Sequence, residues 1–151
     1  MFRGVNSLKI DDKGRIAMPK RYHARLEEQS QGQLMVTVHP DDRCLLIYPM
    51  PEWDVVERHV AGLPNMDPRN RHLQRLLLGY ATESPMDGSG RILLASPLRE
   101  FVALDKSVML LGQGGKFELW DEKTWYQHCD DWMNRDRNSQ GMSAELGSLT
   151  L

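Results

Sequence analysis

The chain has 151 residues, 40% of them hydrophobic and 26% charged, which suits one ordinary domain or two small halves sharing a core. No run of about 18 apolar residues occurs, which excludes a membrane-spanning helix. The opening MFRGVNSLKI has no apolar stretch long enough for a secretory signal, so a cytoplasmic protein is expected.

The net charge of −2 hides a strong local asymmetry. Residues 1–25 carry seven Lys/Arg against Asp11 and Asp12, and residues 69–99 carry five Arg against Glu83 and Asp87. Residues 26–68 and 100–151 are net acidic. An anionic partner is drawn to the two basic blocks.

In chain order, NSLKID (6–11) puts Leu8 and Ile10 on one face at strand spacing. RIAM (15–18) then puts Ile16 and Met18 on one face and Arg15 and Ala17 on the other. Between them Asp-Asp-Lys-Gly supplies turn chemistry, because Asp accepts backbone N–H groups and Gly accepts positive φ. The stretch reads as a β-hairpin. Pro19 sits near a helix start, with Tyr22 and Leu26 one turn apart, and LMVTV (34–38) reads as a strand. CLLIYPMPEW (44–53) reads as a strand entering a helix, and residues 52–63 place Trp53, Val56, Val60 and Leu63 on one stripe. Asp67 and Pro68 open a further helix whose Leu73, Leu76, Leu77 and Tyr80 pack inward. Its Arg69, Arg71 and Arg75 suit an oligomer interface as well as DNA.

The pattern then recurs. MDGSGRILL (86–94) repeats the turn, aligning Asp87, Gly90, Arg91 and Ile92 with Asp11, Gly14, Arg15 and Ile16. The same offset maps Tyr22 to Leu98 and Leu26 to Val102. Ser96 is read as an N-cap with Pro97 at the first helical position, followed by a stripe of Leu98, Phe101 and Val102. VMLLG (108–112) and KFELWDEKTW (116–125) match the earlier strands, with an aromatic ending each last strand (Tyr48, Trp120) and a Trp opening each following helix (Trp53, Trp125). HPDDR is longer than GQGG, which absorbs the change of spacing. Trp125, Cys129, Trp132 and Met133 form one apolar helix face, and beyond Arg135 a tail without strong periodicity is expected to be flexible or a partner-dependent helix.

The turn residues carry the candidate chemistry. Arg15 presents a planar fork that can make two parallel bonds to guanine O6 and N7, which Lys cannot reproduce. Lys13 and Arg3 are read as phosphate contacts, which add affinity with little sequence information. Arg91 is the corresponding residue of the second turn, where Ser89 replaces Lys13, so that turn either binds DNA more weakly or serves mainly structure. Asp11 and Asp87, with Gly14 and Gly90, are read as orienting the turns, and Asp12 as solvated. The competing reading pairs Arg15 with Asp11 and Arg91 with Asp87 purely structurally, and the short motif alone favours it. The basic block and the family resemblance given below reverse the balance for Arg15 and leave it even for Arg91. Lys9, Lys20, Arg21 and Arg25 rank second, as a solvated face.

An enzyme is not expected: no Ser-His-Asp arrangement, phosphate-binding Gly loop or His-Glu-x-x-His appears. His39 near Cys44, and adjacent His128 and Cys129, lack a standard zinc spacing, so no metal or cofactor is expected. Cys44 and Cys129 are read as buried inert thiols without a disulfide.

MFRG, the paired DDKGR and DGSGR turns, CLLIYP with the following EW, RLLLGYA and GKFELWD together resemble the MraZ family, over about residues 1–130. HPDDR departs from the family pattern in being more charged. The resemblance implies an AbrB-like α+β fold: two tandem swapped-hairpin units forming a pseudo-twofold β-barrel with peripheral helices. The units fall at 5–51 and 81–124, with a helical connector at 52–80 and a C-terminal helix and tail at 125–151. It further implies a nucleoid-associated regulator that binds repeated sites in double-stranded promoter DNA as a homo-oligomeric ring. Its expected target is the bacterial division and cell-wall gene cluster, its own gene included, by repression. No membrane partner or small-molecule substrate is expected. An antitoxin-type binding module and an architectural ring remain as alternatives.

Overall fold

The computed structural model describes residues 1–135 and Leu149. The tail beyond Arg135, read as flexible or as a partner-dependent helix, lies outside the described residues except for Leu149. Alternation and turn chemistry build nearly the same run of elements twice. In the first half, β1 (Phe2–Lys9) leads through the turn into β2 (Arg15–Ala17), a 3-10 turn (Lys20–Tyr22) and α1 (His23–Ser30). Then come β3 (Leu34–Val38), β4 (Leu45–Pro49), α2 (Met50–Ala61) and α3 (Pro68–Leu77). The second half holds β5 (Thr82–Glu83), β6 (Arg91–Leu93), α4 (Ser96–Phe101), β7 (Ser107–Gly114), β8 (Phe117–Asp121) and α5 (Glu122–Met133). No described helix is long and apolar enough to cross a membrane.

The mixed α+β class is as expected, but its strands pair differently from the sequence reading. An antiparallel sheet runs β1-β7-β8-β4-β3-β5, and β2 pairs with β6 in a separate two-stranded ribbon. The sheet is not closed into the expected barrel: the strand at one edge, β5, is only two residues long, too short to carry a closing ladder. Nor do β1 and β2 form a local hairpin ladder, since β1 pairs with β7 and β2 with β6. Pairing across the halves lets each half bury its short apolar faces against the other. Ile16 stands opposite Ile92, its repeat equivalent, and Leu46 stands opposite Glu118, so a pseudo-twofold relation runs through both places.

One core joins the two halves. Ile16, Met18, Tyr22 and Leu26 lie in the same cluster as their equivalents Ile92, Leu94, Leu98 and Val102. On the other side of the sheet, Tyr48, Trp53, Val60 and Leu77 pack beneath α2 and α3. Cys44, Met109 and Trp120 pack with Trp125 near α5. Cys44 is buried and free; burial, followed by the nearby Glu118 charge, pushes its thiol far above the ordinary range, so it stays protonated. Cys129 is free but only partly buried, which corrects the reading of two buried thiols.

Three helix expectations need adjustment. Asp67 does cap α3, accepting from the Arg69 N–H at 2.9 Å. Ser96, in contrast, lies inside α4, with Ala95 at the cap position. Phe101 turns outward, 42% exposed, and leans on the Tyr80 ring with centroids 4.7 Å apart. The apolar side of α5 is also open: Trp132 is 53% and Met133 62% exposed, and no α5 residue is buried. On α2 the equivalent of Trp132, Val60, is covered because α3 folds back beside it.

The crossing at Ile16 and Ile92 gives a stability test. Ile16→Ala or Ile92→Ala should each destabilise the chain by about 2–5 kcal/mol in urea unfolding. Because the two side chains face each other, the double variant should depart from additivity by about 0.5 kcal/mol or more.

Candidate nucleic-acid interface

Each turn is built on its aspartate. Asp11 Oδ1 accepts from the N–H groups of Lys13 and Arg15, both at 2.9 Å, and Oδ2 accepts from Arg15 Nε at 2.9 Å. Asp87 Oδ1 accepts from the N–H groups of Ser89 at 2.8 Å and Arg91 at 2.9 Å. Its second oxygen pairs more loosely with Arg91 Nε, at 3.4 Å and without hydrogen-bond geometry. Backbone bonds close each turn, Gly14 N–H to Asp11 O and Gly90 N–H to Asp87 O. Both glycines hold the positive φ expected of them, 84° and 80°.

The hydrogen bonds determine the charge state of these carboxylates. The Arg15 N–H, opposed by desolvation and helped by the Arg15 guanidinium and the Lys13 N–H, holds Asp11 below the ordinary carboxylate range. The Arg91 N–H leads the same shift at Asp87, against desolvation, with the Ser89 N–H and the charges of Arg91 and Arg15 adding to it. Each aspartate is therefore a firm anion; Asp11 grips Arg15 through a hydrogen bond to Nε, and Asp87 holds Arg91 by charge alone. No hydrogen bond among the described residues takes the terminal nitrogens of Arg15 or Arg91, so both forks keep their outer donors. Pairing and recognition are thus compatible. The Arg91 side chain is the more exposed, 38% against 25% for Arg15.

The two turns are locked to each other. The Leu94 N–H donates to Gly14 O and the Met18 N–H to Gly90 O, each at 2.9 Å. Side chains repeat the exchange. His23 Nε2 donates to Met18 O at 2.7 Å while its ring packs over Gly90. Arg99, the repeat equivalent of His23, donates from Nε to Leu94 O at 3.0 Å while its guanidinium covers Gly14. With Ile16 and Ile92 directed inward, the outer face of the β2/β6 ribbon carries Arg15 opposite Leu93 and Ala17 opposite Arg91.

Lys13 is exposed at the tip of the first turn. Arg3 is not brought there. It lies near the far end of β1, about 20 Å along the strand from Lys9. There Arg3, Arg21 and Arg25 line a cleft of about 600 Å³ with Phe2, Tyr22 and Glu28. Arg21 is held by Asn6 Oδ1 at 2.7 Å and the Tyr22 hydroxyl at 2.8 Å, and Lys9 donates to Ser107 Oγ, so part of this face is tied structurally. Arg69 pairs with Asp67 at 3.0 Å, and Arg71 donates to the carbonyls of Asn65 and Met66. Among the described residues no group of three or more His, Cys, Asp or Glu side chains could hold a metal ion. His39 instead accepts from the N–H groups of Asp41 and Asp42.

Sequence reasoning passed over His23, Arg99 and Leu93. The repeat offset pairs His23 with Arg99 and was the available signal for both. Leu93 was hidden because RILL reads as one apolar run, although strict alternation places it on the face of Arg91.

A family model described as MraZ protein, antitoxin-like, matches residues 1–76 and again 77–143. The chain belongs to the MraZ family. The double match coincides with the structural repeat. A protein named Transcriptional regulator MraZ from Thioalkalivibrio sulfidiphilus (strain HL-EbGR7) is 54% identical over 151 residues, covering all of both chains. One of the same name from Yersinia pestis (strain Pestoides F) is 48% identical over 152 residues, again covering both completely. Both MraZ relatives match this chain from end to end.

Two outcomes follow from the turn geometry. Gly90→Ala should destabilise the chain by about 1–3 kcal/mol in urea unfolding, through positive φ and collision with His23. Gly88→Ala, which meets open space, should change it by less than about 0.5 kcal/mol. Depressed carboxylates contribute stability that is present above the ordinary aspartate value of 3.8 and lost as pH falls through the lower folded value. Unfolding measured below pH 3.8 should therefore show a flatter acid loss in a chain carrying Asp11→Asn and Asp87→Asn than in the wild type.

Proposed function

We propose that the chain is a sequence-specific, DNA-binding transcriptional regulator that represses the division and cell-wall gene cluster, its own gene included. The observation that carries this reading is the pair of Asp-x-x-Gly-Arg turns on one ribbon, each arginine ion-paired with its own aspartate while its outer donors take no hydrogen bond among the described residues. The names of the full-length relatives support regulation of transcription.

In this reading Arg15 makes a bidentate contact with guanine in the major groove, and Arg91 makes the corresponding contact from the second turn. Lys13 binds phosphate beside Arg15, and Arg3, most of a strand length away, binds phosphate further along the duplex. Asp11 and Asp87 orient the forks. The halves at 5–51 and 81–124 act as swapped-hairpin units, a reading supported by the exchange of β1 with β7 and of β2 with β6. A net charge of −2 gives one subunit little non-specific hold on DNA. A homo-oligomeric ring presents many such turns to repeated sites and raises affinity by roughly a hundredfold or more through effective concentration. Double-stranded promoter DNA and other copies of the chain are thus its partners, in the cytoplasm at the nucleoid.

The antitoxin-like wording of the family description supports a second reading, in which the chain binds a toxin. Pull-down separates the two, since a stoichiometric protein partner favours the second and promoter DNA the first.

Arg15→Ala should abolish binding to the DNA upstream of the chain's own gene while leaving particle size in gel filtration unchanged, because it alters only a surface turn. Retained affinity would remove Arg15 from the site. A clean monomer binding with full affinity would end the ring mechanism.

A further inference from the structure

We infer that Leu93 is a second base-reading residue, making an apolar contact with a thymine methyl beside the base read by Arg15. The inference rests on the DNA-binding reading above and adds a specificity determinant to it.

Single exposed leucines are ordinary on protein surfaces, so exposure alone carries nothing. The placement of this one does. Leu93 is 54% exposed on the outer face of the cationic ribbon, at the end rung of the β2/β6 ladder and directly opposite Arg15. Its neighbour Ile92 supplies the inward side chain and is fully buried, so the core makes no use of Leu93. A two-stranded ribbon is one of the structures the major groove admits, and the only methyl presented there is that of thymine. Cross-strand side chains start about 5 Å apart, while bases along one strand lie about 3.4 Å apart. Leu93 therefore reaches one or two base steps from the guanine engaged by Arg15.

The ribbon is asymmetric in this respect. The repeat equivalent of Leu93 is Ala17, which stands opposite Arg91. Alanine ends at Cβ and falls short of a base methyl when the neighbouring arginine is extended. The first turn thus reads a guanine and a thymine, while the second reads a guanine with little selection beside it.

The test uses a duplex of the DNA immediately upstream of the chain's own coding sequence. Each thymine inside the footprint is replaced in turn by deoxyuridine, which removes only the methyl. Wild type should lose about fourfold in affinity at one or two positions in each repeat. Leu93→Ala should bind the unmodified duplex several-fold more weakly and show no further loss at those positions. Equal deoxyuridine sensitivity in the wild type and Leu93→Ala, or none in the wild type, would overturn the assignment. A change of particle size in Leu93→Ala would also overturn it, marking Leu93 as a subunit contact. A failure of the underlying reading looks different: the wild type then ignores the unmodified duplex, or Arg15→Ala binds as well as the wild type, and the Leu93 proposal falls with it.

Discussion

Everything in this molecule depends on the two halves completing each other at the β2/β6 crossing. Each three-residue strand is too short to stand alone, and each directs one isoleucine into the core. Facing Ile16 with Ile92 removes both from water at once. The reciprocal bonds from Met18 to Gly90 and from Leu94 to Gly14 then satisfy backbone groups that a half-chain would leave open. The duplicated sequence is therefore one folding problem with one core.

The same crossing converts two loops into a single rigid face. A turn tip on a free hairpin samples many orientations, and ordering it on binding costs conformational entropy. Here each glycine is covered by the other half's helix, by His23 in one direction and by Arg99 in the other. Within each turn the aspartate removes further freedom by holding two backbone N–H groups and the arginine together. The ion pair is nearly worthless as surface stabilisation, since exposed pairs contribute little. Its value is geometric: it aims a fork whose outer donors remain open.

Departures from the repeat show where the halves have specialised. Lys13 faces Ser89 across the pseudo-symmetry, Arg99 replaces His23, and Leu93 replaces Ala17. The cations at the tip and beneath the turn thus favour the first turn, whereas the arginine of the second is held less tightly. Away from the turns, α3 shelters Val60 in the first half, while its equivalent Trp132 on α5 is exposed.

The sequence by itself determined the repeat, the strand faces, the Asp-x-x-Gly-Arg turns and the Asp67 cap of α3. These are local properties, set by alternation, helical period and short-range hydrogen bonding. Only the tertiary structure decided which strand each one joins, and so replaced a local hairpin and a closed barrel with exchange between halves and an open sheet. It likewise decided that Arg3 stands apart from Lys13, that His23 and Arg99 cover the opposite turns, and that Leu93 faces outward beside Arg15. Alternation tells a side chain which face it occupies and says nothing about the distant strand across from it, because that choice is made by the burial of the whole core.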